Sequence, residues 1–180
     1  YRKMQTPKST AQMIWLNDKL PYTQERSIQA DIAGQVLSMV YLKQIREEAS
    51  AAYSCGAQGG MSLADDGYHM AQIAGYCPMK PEKKDIALKI MDQAVKDLAQ
   101  KCDANMLEDV KKNMVKGYEN AQKTNGYWSS IVWNDFFLKR DDHTNFKALV
   151  EAQTPEKISA FVKEFLAGAN KVSVVMLPQE

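Results

Sequence analysis

Residues 41–54 read Tyr-Leu-Lys-Gln-Ile-Arg-Glu-Glu-Ala-Ser-Ala-Ala-Tyr-Ser, and they join a strongly helical run to an alternating, strand-like run. Arg46 belongs to the predicted last turn of the helix, and Tyr53 lies seven positions later at the predicted start of the strand. Because a corner separates the two residues, we expect the guanidinium and the phenol to reach the same spot. The rest of the chain is organised around this corner.

The residues alone leave two interpretations of this pair open. In the structural interpretation, Arg46 complements the negative end of the helix macrodipole and Tyr53 is a half-buried strand aromatic. In the functional interpretation, the two side chains act together on a ligand. Spacing alone favours the structural interpretation.

The segment before the corner has the pattern of one long helix. Thr23 is a typical N-cap, and the helix is predicted to run to about Glu48. Its apolar stripe repeats every four residues through Ile28, Ile32, Val36 and Val40. Gly34 inside this helix costs up to ~1 kcal/mol relative to alanine, which predicts a close contact with a neighbouring element.

Alternation of apolar and polar residues predicts four strands. The first covers Ala11 to Leu16, the second begins at Tyr53, the third covers Tyr68 to Tyr76, and the last covers Val172 to Leu177. Residues 65–67, Asp-Asp-Gly, form the predicted turn of an antiparallel hairpin between the second and third strands. Gly59 and Gly60 favour either a close backbone approach or a bulged, twisted edge.

Three further helices are predicted after the hairpin. Pro81 opens the first, whose stripe is Ile86, Ile90, Ala94, Leu98 and Cys102. Asn105 and Glu108 resemble a capping box for the second, which carries Val110, Met114 and Tyr118. Thr154 and Pro155 open the third, which is predicted to stop at Gly168.

A dense aromatic cluster follows a predicted kink at residues 122–126. Its members are Tyr127, Trp128, Ile131, Trp133, Phe136 and Phe137. We interpret it as core or domain-interface packing rather than as a ligand-binding site. The element order strand, helix, two strands, several helices and strand predicts an α+β fold, with helices on one face of a mainly antiparallel sheet. Residues 1–180 are predicted to form one domain.

Composition and charge exclude several classes of partner. The chain has 23 Lys+Arg, 22 Asp+Glu and a net charge of +1, so no electrostatic feature favours nucleic acid or an anionic membrane. No apolar run approaches the ~20 residues of a membrane span. The sequence begins at Tyr1 without a signal-like segment, so we expect an excised or processed piece whose targeting information lies upstream.

The sequence contains few residues that could bind a metal ion or act as a nucleophile. An inverted zinc motif, H-x-x-E-H, needs two histidines on one helix, but the only histidines here are His69 and His143. Zinc binding by this chain is therefore not expected, and no cofactor is predicted for it. Cys55, Cys77 and Cys102 form no C-x-x-C pair; the odd count favours free thiols but leaves room for one bridge.

Several landmarks resemble the non-zinc domains of pitrilysin/insulinase-type metallopeptidases. The landmarks are residues 41–48 with Tyr53-Ser54 at the corner, residues 8–11 and 20–23 near the start, Asn125-Gly126-Tyr127-Trp128, Thr154-Pro155-Glu156, and residues 174–178. The likeness covers nearly the whole chain and is closest to the carboxy-terminal domain of the long bacterial members. Those proteins usually carry glycine between the Arg and the Tyr, where this chain has Ala49, Ser50, Ala51 and Ala52.

The resemblance implies a function that the residues alone do not give. In that family a separate zinc domain faces a partner domain across a peptide-holding chamber. By this likeness, Arg46 would anchor a substrate carbonyl and the Tyr53 hydroxyl would stabilise the oxyanion. The implied partners are a peptide or unfolded polypeptide and the zinc-bearing domain, and the implied location is the periplasm or cell envelope. The alternative is a scaffold or protein-interaction domain of the same descent without a catalytic role.

Overall fold

The computed structural model describes residues 8–178 and contains a four-stranded sheet in which every pairing is antiparallel. The strands are β1 (Ser9–Asn17), β2 (Gly56–Leu63), β3 (His69–Met79) and β4 (Asn170–Met176). Their order across the sheet is β2-β3-β1-β4, so the first strand lies in the middle. The predicted hairpin is confirmed as β2 and β3.

Strand β1 shows why this sequence builds a one-sided sheet. Ala11, Met13 and Trp15 are at most 5% exposed on the face that meets the helices. Gln12, between them, is exposed on the other face. A period of two in side-chain burial is what a strand with one covered face requires.

Six α-helices and one π-helical segment lie along the described chain. They are α1 (Gln24–Tyr41), the π segment (Leu42–Glu48), α2 (Lys84–Gln100), α3 (Ala104–Ala121), α4 (Asn125–Leu138), α5 (Phe146–Glu151) and α6 (Pro155–Gly168). The buried side chains of α1, α2 and α6 form one core with the inner face of the sheet. This arrangement confirms the predicted α+β class with helices on one face.

The helix starts are set by side-chain caps. Thr23 Oγ1 accepts from Arg26 N at 3.0 Å, and Thr154 Oγ1 accepts from Lys157 N at 3.3 Å, so both predicted caps are confirmed. The cap predicted at Asn105 is wrong. Asp103 caps α3 instead, because its carboxylate is placed to accept from two consecutive backbone N–H groups.

Helix α1 crosses β2 with its backbone almost touching the strand. A Cβ added to Gly34 would lie 2.1 Å from Gly59 N, and one added to Gly59 would lie 1.8 Å from the Ala30 carbonyl oxygen. The close contact predicted from Gly34 is therefore confirmed. This close crossing sets the direction in which the chain leaves α1 and enters the corner.

One burial prediction is wrong, and a second is wrong in part. Ile86 was expected in the apolar stripe of α2 but is 45% exposed, because α2 follows a 3₁₀ turn at Pro81–Lys83 and presents Ala87 and Met91 to the core instead. The aromatic cluster was expected in a core or at a domain interface; burial in the core is wrong, because α4 has no buried residue among the described ones, and packing against another domain stays a prediction. Within this chain the core is completed by α1, α2, α3 and α6, which leaves the outer side of α4 uncovered.

Candidate functional site

The corner after α1 is made by a π-helical segment, Leu42–Glu48, that carries Arg46 in its last turn. The segment ends with Ala49 N donating to Gln44 O at 3.0 Å, and Ala51 N then donates to Ile45 O at 2.9 Å. Such wide turns are rare and occur frequently at functional sites. The backbone of the corner is thus defined by its own hydrogen bonds.

Ser50 turns the chain with a φ of +49°, which is the left-handed region. Ser50 lies in the segment between Arg46 and Tyr53 where the resembling proteins usually carry a glycine and this chain has none. A side chain in this region costs roughly 1–2 kcal/mol relative to the right-handed conformation. The chain therefore makes the corner at a local cost in stability.

Buried neighbours hold the corner against the body of the protein. Ile45 and Ala51 are fully buried. The Ala51 carbonyl accepts from Lys80 N at 3.1 Å, and Ala52 forms a bridge with Met79 at the end of β3. With Ala51 and Ala52 fixed inward, the next side chain, Tyr53, projects outward.

Arg46 and Tyr53 come together on the outside of this corner. The guanidinium carbon of Arg46 lies 5.4 Å from the centroid of the Tyr53 ring, a cation–π contact. Tyr53 is 86% exposed and Arg46 is also exposed, so the half-buried strand interpretation of Tyr53 is wrong. β2 begins only at Gly56, because the bridge at Ala52 and the bend at Tyr53 precede the regular pairing.

The arrangement presents hydrogen-bond donors to solvent. A guanidinium offers several N–H donors in a planar fork, and a neutral phenol offers one O–H. Together they can bind a carbonyl oxygen or a developing negative charge beside the corner.

The thiols nearest the corner are not arranged as nucleophiles. Burial raises the pKa of Cys55, although the charge of Arg46 acts in the opposite direction. Burial raises the pKa of Cys77 to about 12. Since the thiolate is the reactive form, the raised pKa values disfavour reaction of both thiols near neutral pH. All three cysteines are free.

The two histidines lie in different surroundings. His69 lies on β3 with its Nδ1 3.3 Å from Gly67 O, whereas His143 Nδ1 lies 2.7 Å from the Tyr127 hydroxyl. Within residues 8–178, no group of three or more His, Cys, Asp or Glu side chains could hold a metal ion.

A second candidate surface lies on the outer side of α4. We call it the α4 surface, and its members are Trp128, Val132, Trp133, Phe136 and Phe137, each between 42% and 65% exposed. They line a groove of about 610 Å³. Contiguous exposed apolar patches on soluble proteins usually mark interaction sites. The aromatic cluster is visible in the sequence, but its position outside the core is not.

None of the helices described here is both long and apolar enough to span a membrane. No protein-family model matches the sequence, and no curated protein matches it significantly.

Solved structures, in contrast, match over almost the whole chain. The periplasmic protease PqqL from Escherichia coli aligns with 99% of this chain at a TM-score of 0.74 and 22% identity. A mutant of the ferredoxin protease FusC, in complex with Arabidopsis ferredoxin, aligns with 97% at a TM-score of 0.75 and 18% identity. The inactive domain of a peptidase M16 from Pseudomonas fluorescens aligns with 99% at a TM-score of 0.74 and 13% identity.

These similarities define the class of fold. The chain has the fold of peptidase M16 domains, including domains described as inactive, so the resemblance to pitrilysin/insulinase-type peptidases is confirmed at the level of the fold. The chain spans 20% of PqqL, 19% of FusC and 43% of the Pseudomonas protein. It therefore corresponds to one part of those longer chains.

Proposed function

We propose that residues 1–180 form the non-zinc domain of a zinc metallopeptidase, which closes the peptide-binding chamber and contacts the substrate. The observation that carries this proposal is the pairing of Arg46 with the exposed Tyr53 ring at 5.4 Å. Both side chains are exposed and do not belong to the core. The corner that presents them is nevertheless held by buried neighbours and includes a strained residue, Ser50. Strained backbone of this kind clusters at functional sites.

In this proposal the two side chains have separate roles. Arg46 anchors a carbonyl oxygen of the bound peptide through its planar fork of N–H donors. The Tyr53 hydroxyl donates to the oxygen on which negative charge develops during hydrolysis. A donor aimed at such a charge typically contributes ~3 kcal/mol to lowering the barrier.

The zinc of this peptidase would belong to a separate domain of the same or a partner chain. This chain has only two histidines, at positions 69 and 143, and neither has a ligand partner among the described residues. The isolated chain is accordingly proposed to be inactive. Zinc found at one equivalent after dialysis, together with peptidase activity of the isolated chain, would contradict this part of the proposal.

The proposed substrate is a peptide or an unfolded polypeptide, and the proposed location is the periplasm or cell envelope. Support comes from structures of similar fold: PqqL is described as a periplasmic protease, and FusC as a ferredoxin protease in complex with a ferredoxin.

A second candidate function is that of a scaffold or protein-interaction domain without a catalytic role. The observation that favours it is the α4 surface, where Trp133, Phe136 and Phe137 are at least half exposed. Aromatic side chains of this kind are enriched at the centres of protein interfaces. Under this alternative, Arg46 and Tyr53 would be dispensable for any chemistry.

Substitutions at the corner, made in the zinc peptidase that contains this chain, separate the two candidates. Tyr53→Phe removes one donor and keeps the ring, so kcat is expected to fall about tenfold or more while Tm stays unchanged. Arg46→Lys keeps the charge but loses the planar fork, and it should also lower kcat. Unchanged turnover in both variants would rule out the catalytic contribution and leave the scaffold function.

A further inference from the structure

A second cavity lies at the other end of α1, roughly 30 Å from the corner at 1.5 Å per helical residue. It has a volume of about 370 Å³ and is bordered by the first turn of α1, the last turn of α3, the inner side of α4 and the loop before α5. We call it the α1–α4 cavity. Its volume is at the small end of the range of ligand-binding pockets.

Aromatic rings form much of the wall of the α1–α4 cavity. Tyr22, Tyr118, Tyr127 and Phe146 all line it. Tyr118 stacks on Phe146 at 4.8 Å and meets Tyr127 edge to face at 6.1 Å. Walls of this kind favour a planar aromatic guest, which can stack or meet the rings at their edges.

The charges in the wall cancel one another. Arg140 Nε donates to Asp142 Oδ2 at 2.7 Å, and Arg140 Nη2 lies 2.6 Å from the same oxygen. The same carboxylate accepts from the Tyr22 hydroxyl at 3.1 Å. Burial raises the pKa of Tyr22 to about 12, so this phenol is neutral. The cavity therefore has no unbalanced charge with which to bind an ion.

One side-chain amide in the wall, that of Gln24, has a donor nitrogen without a hydrogen-bond partner among the described residues. Gln24 lines the cavity, and its Nε2 is buried without a hydrogen-bond partner among residues 8–178. Buried donors are normally paired, so this unpaired donor gains a partner when the Gln24 side chain turns into the cavity and meets an acceptor there. A carbonyl oxygen is the matching group on an uncharged ligand.

The geometry points to a binding site for a small, uncharged aromatic carbonyl compound in the α1–α4 cavity. The ring packs among Tyr22, Tyr118 and Phe146, and the carbonyl oxygen accepts from Gln24. The cavity is partly open to solvent, so a small ligand can enter without displacement of a helix. This site is independent of the corner and of the function proposed for it.

The test is an NMR titration of the ¹⁵N-labelled 180-residue chain with three probes of nearly equal shape. Phenylacetamide is expected to bind with a Kd of about 1 mM, as suits a ligand of about ten non-hydrogen atoms, and to shift the amide signals of Gly117 and Tyr118. Phenylacetate, which is charged, and propylbenzene, which lacks the acceptor, should each bind at least about tenfold more weakly. Gln24→Leu should abolish the preference for phenylacetamide over propylbenzene.

A cavity-filling variant gives a second, independent test of the binding site. A Cβ at Gly117 meets nothing within 4 Å, so Gly117→Leu can enter the cavity and should abolish binding of every probe. Gly60→Leu is the matched control, since a Cβ there also meets nothing within 4 Å but lies on β2. The inference is overturned if phenylacetate binds as well as phenylacetamide, if the wild-type signals of Gly117 and Tyr118 do not move, or if Gly117→Leu binds unchanged.

Discussion

Substituting Gly34 by alanine tests the crossing of α1 and β2. The added Cβ would lie 2.1 Å from Gly59 N and 2.4 Å from Gln58 C, both backbone atoms that cannot rotate away. Reaching the 3.4 Å of ordinary contact requires α1 to move from the strand by about 1.3 Å. Such overpacking costs up to about 3 kcal/mol, and better helix propensity returns at most about 1 kcal/mol.

We therefore expect Gly34→Ala to lower the free energy of unfolding by about 2 kcal/mol. For a chain of this size, that corresponds to a fall in Tm of about 4–8 °C. Thermal and denaturant-induced unfolding of the 180-residue chain, followed by circular dichroism, measures both quantities.

The matched control is Gly117→Ala in α3, where the new Cβ meets nothing within 4 Å. This variant should be more stable than the wild type by up to about 1 kcal/mol, because only helix propensity changes. If Gly34→Ala is as stable as Gly117→Ala, the close crossing does not exist and the path of α1 into the corner is wrong.

Three further predictions follow from local structure. Ser50→Gly should raise the free energy of unfolding by about 0.5–1 kcal/mol in denaturant titrations, because glycine accepts the positive φ without strain, whereas Ser50→Ala should bring no such gain. Asp103→Ala should cost about 1 kcal/mol through loss of the α3 cap, while Asn105→Ala should change stability by less than about 0.5 kcal/mol in the same assay. Thiol titration under denaturing conditions should give three reactive groups, and a count of one would show that Cys55 and Cys77 are bridged.

Periodicity and capping chemistry were sufficient to predict most of the scaffold. The four-residue stripe of α1, the alternation in β1 and the caps at Thr23 and Thr154 act over a few neighbouring residues, so they are readable from a single sequence. Gly34 was informative for the same reason, since glycine in the middle of a helix has a cost that only a contact can offset.

The corner could be predicted only in part. The two side chains and their spacing could be identified from the sequence. Tyr53 was nevertheless predicted to lie in a strand, because Tyr53, Cys55 and Ala57 continue the alternation of β2. A π-helical turn has no clear residue signature, and Ser50 is not a residue that usually marks a positive φ. The π-helical turn and the positive φ of Ser50 decide the direction of the Tyr53 side chain, and both are visible only in the three-dimensional structure.

The expectation that α4 lies in the core failed for a different reason. A helix that is apolar on all sides is normally buried, so its composition predicted packing. Composition does not tell whether the covering surface belongs to the same chain. Within the described residues the cover is absent, and Trp133 and Phe136 stand in solvent.

The strand order has a consequence for how the chain folds. β1 is made before β3 and β4, yet it lies between them in the sheet, and 90 residues separate Met79 from Asn170. At ribosomal rates of about 5–20 residues per second, one edge of β1 waits roughly 5–20 seconds for its second neighbour. An unpaired apolar edge is a template for association with other chains. During the interval between the synthesis of β3 and β4, this edge of β1 is therefore open to such association.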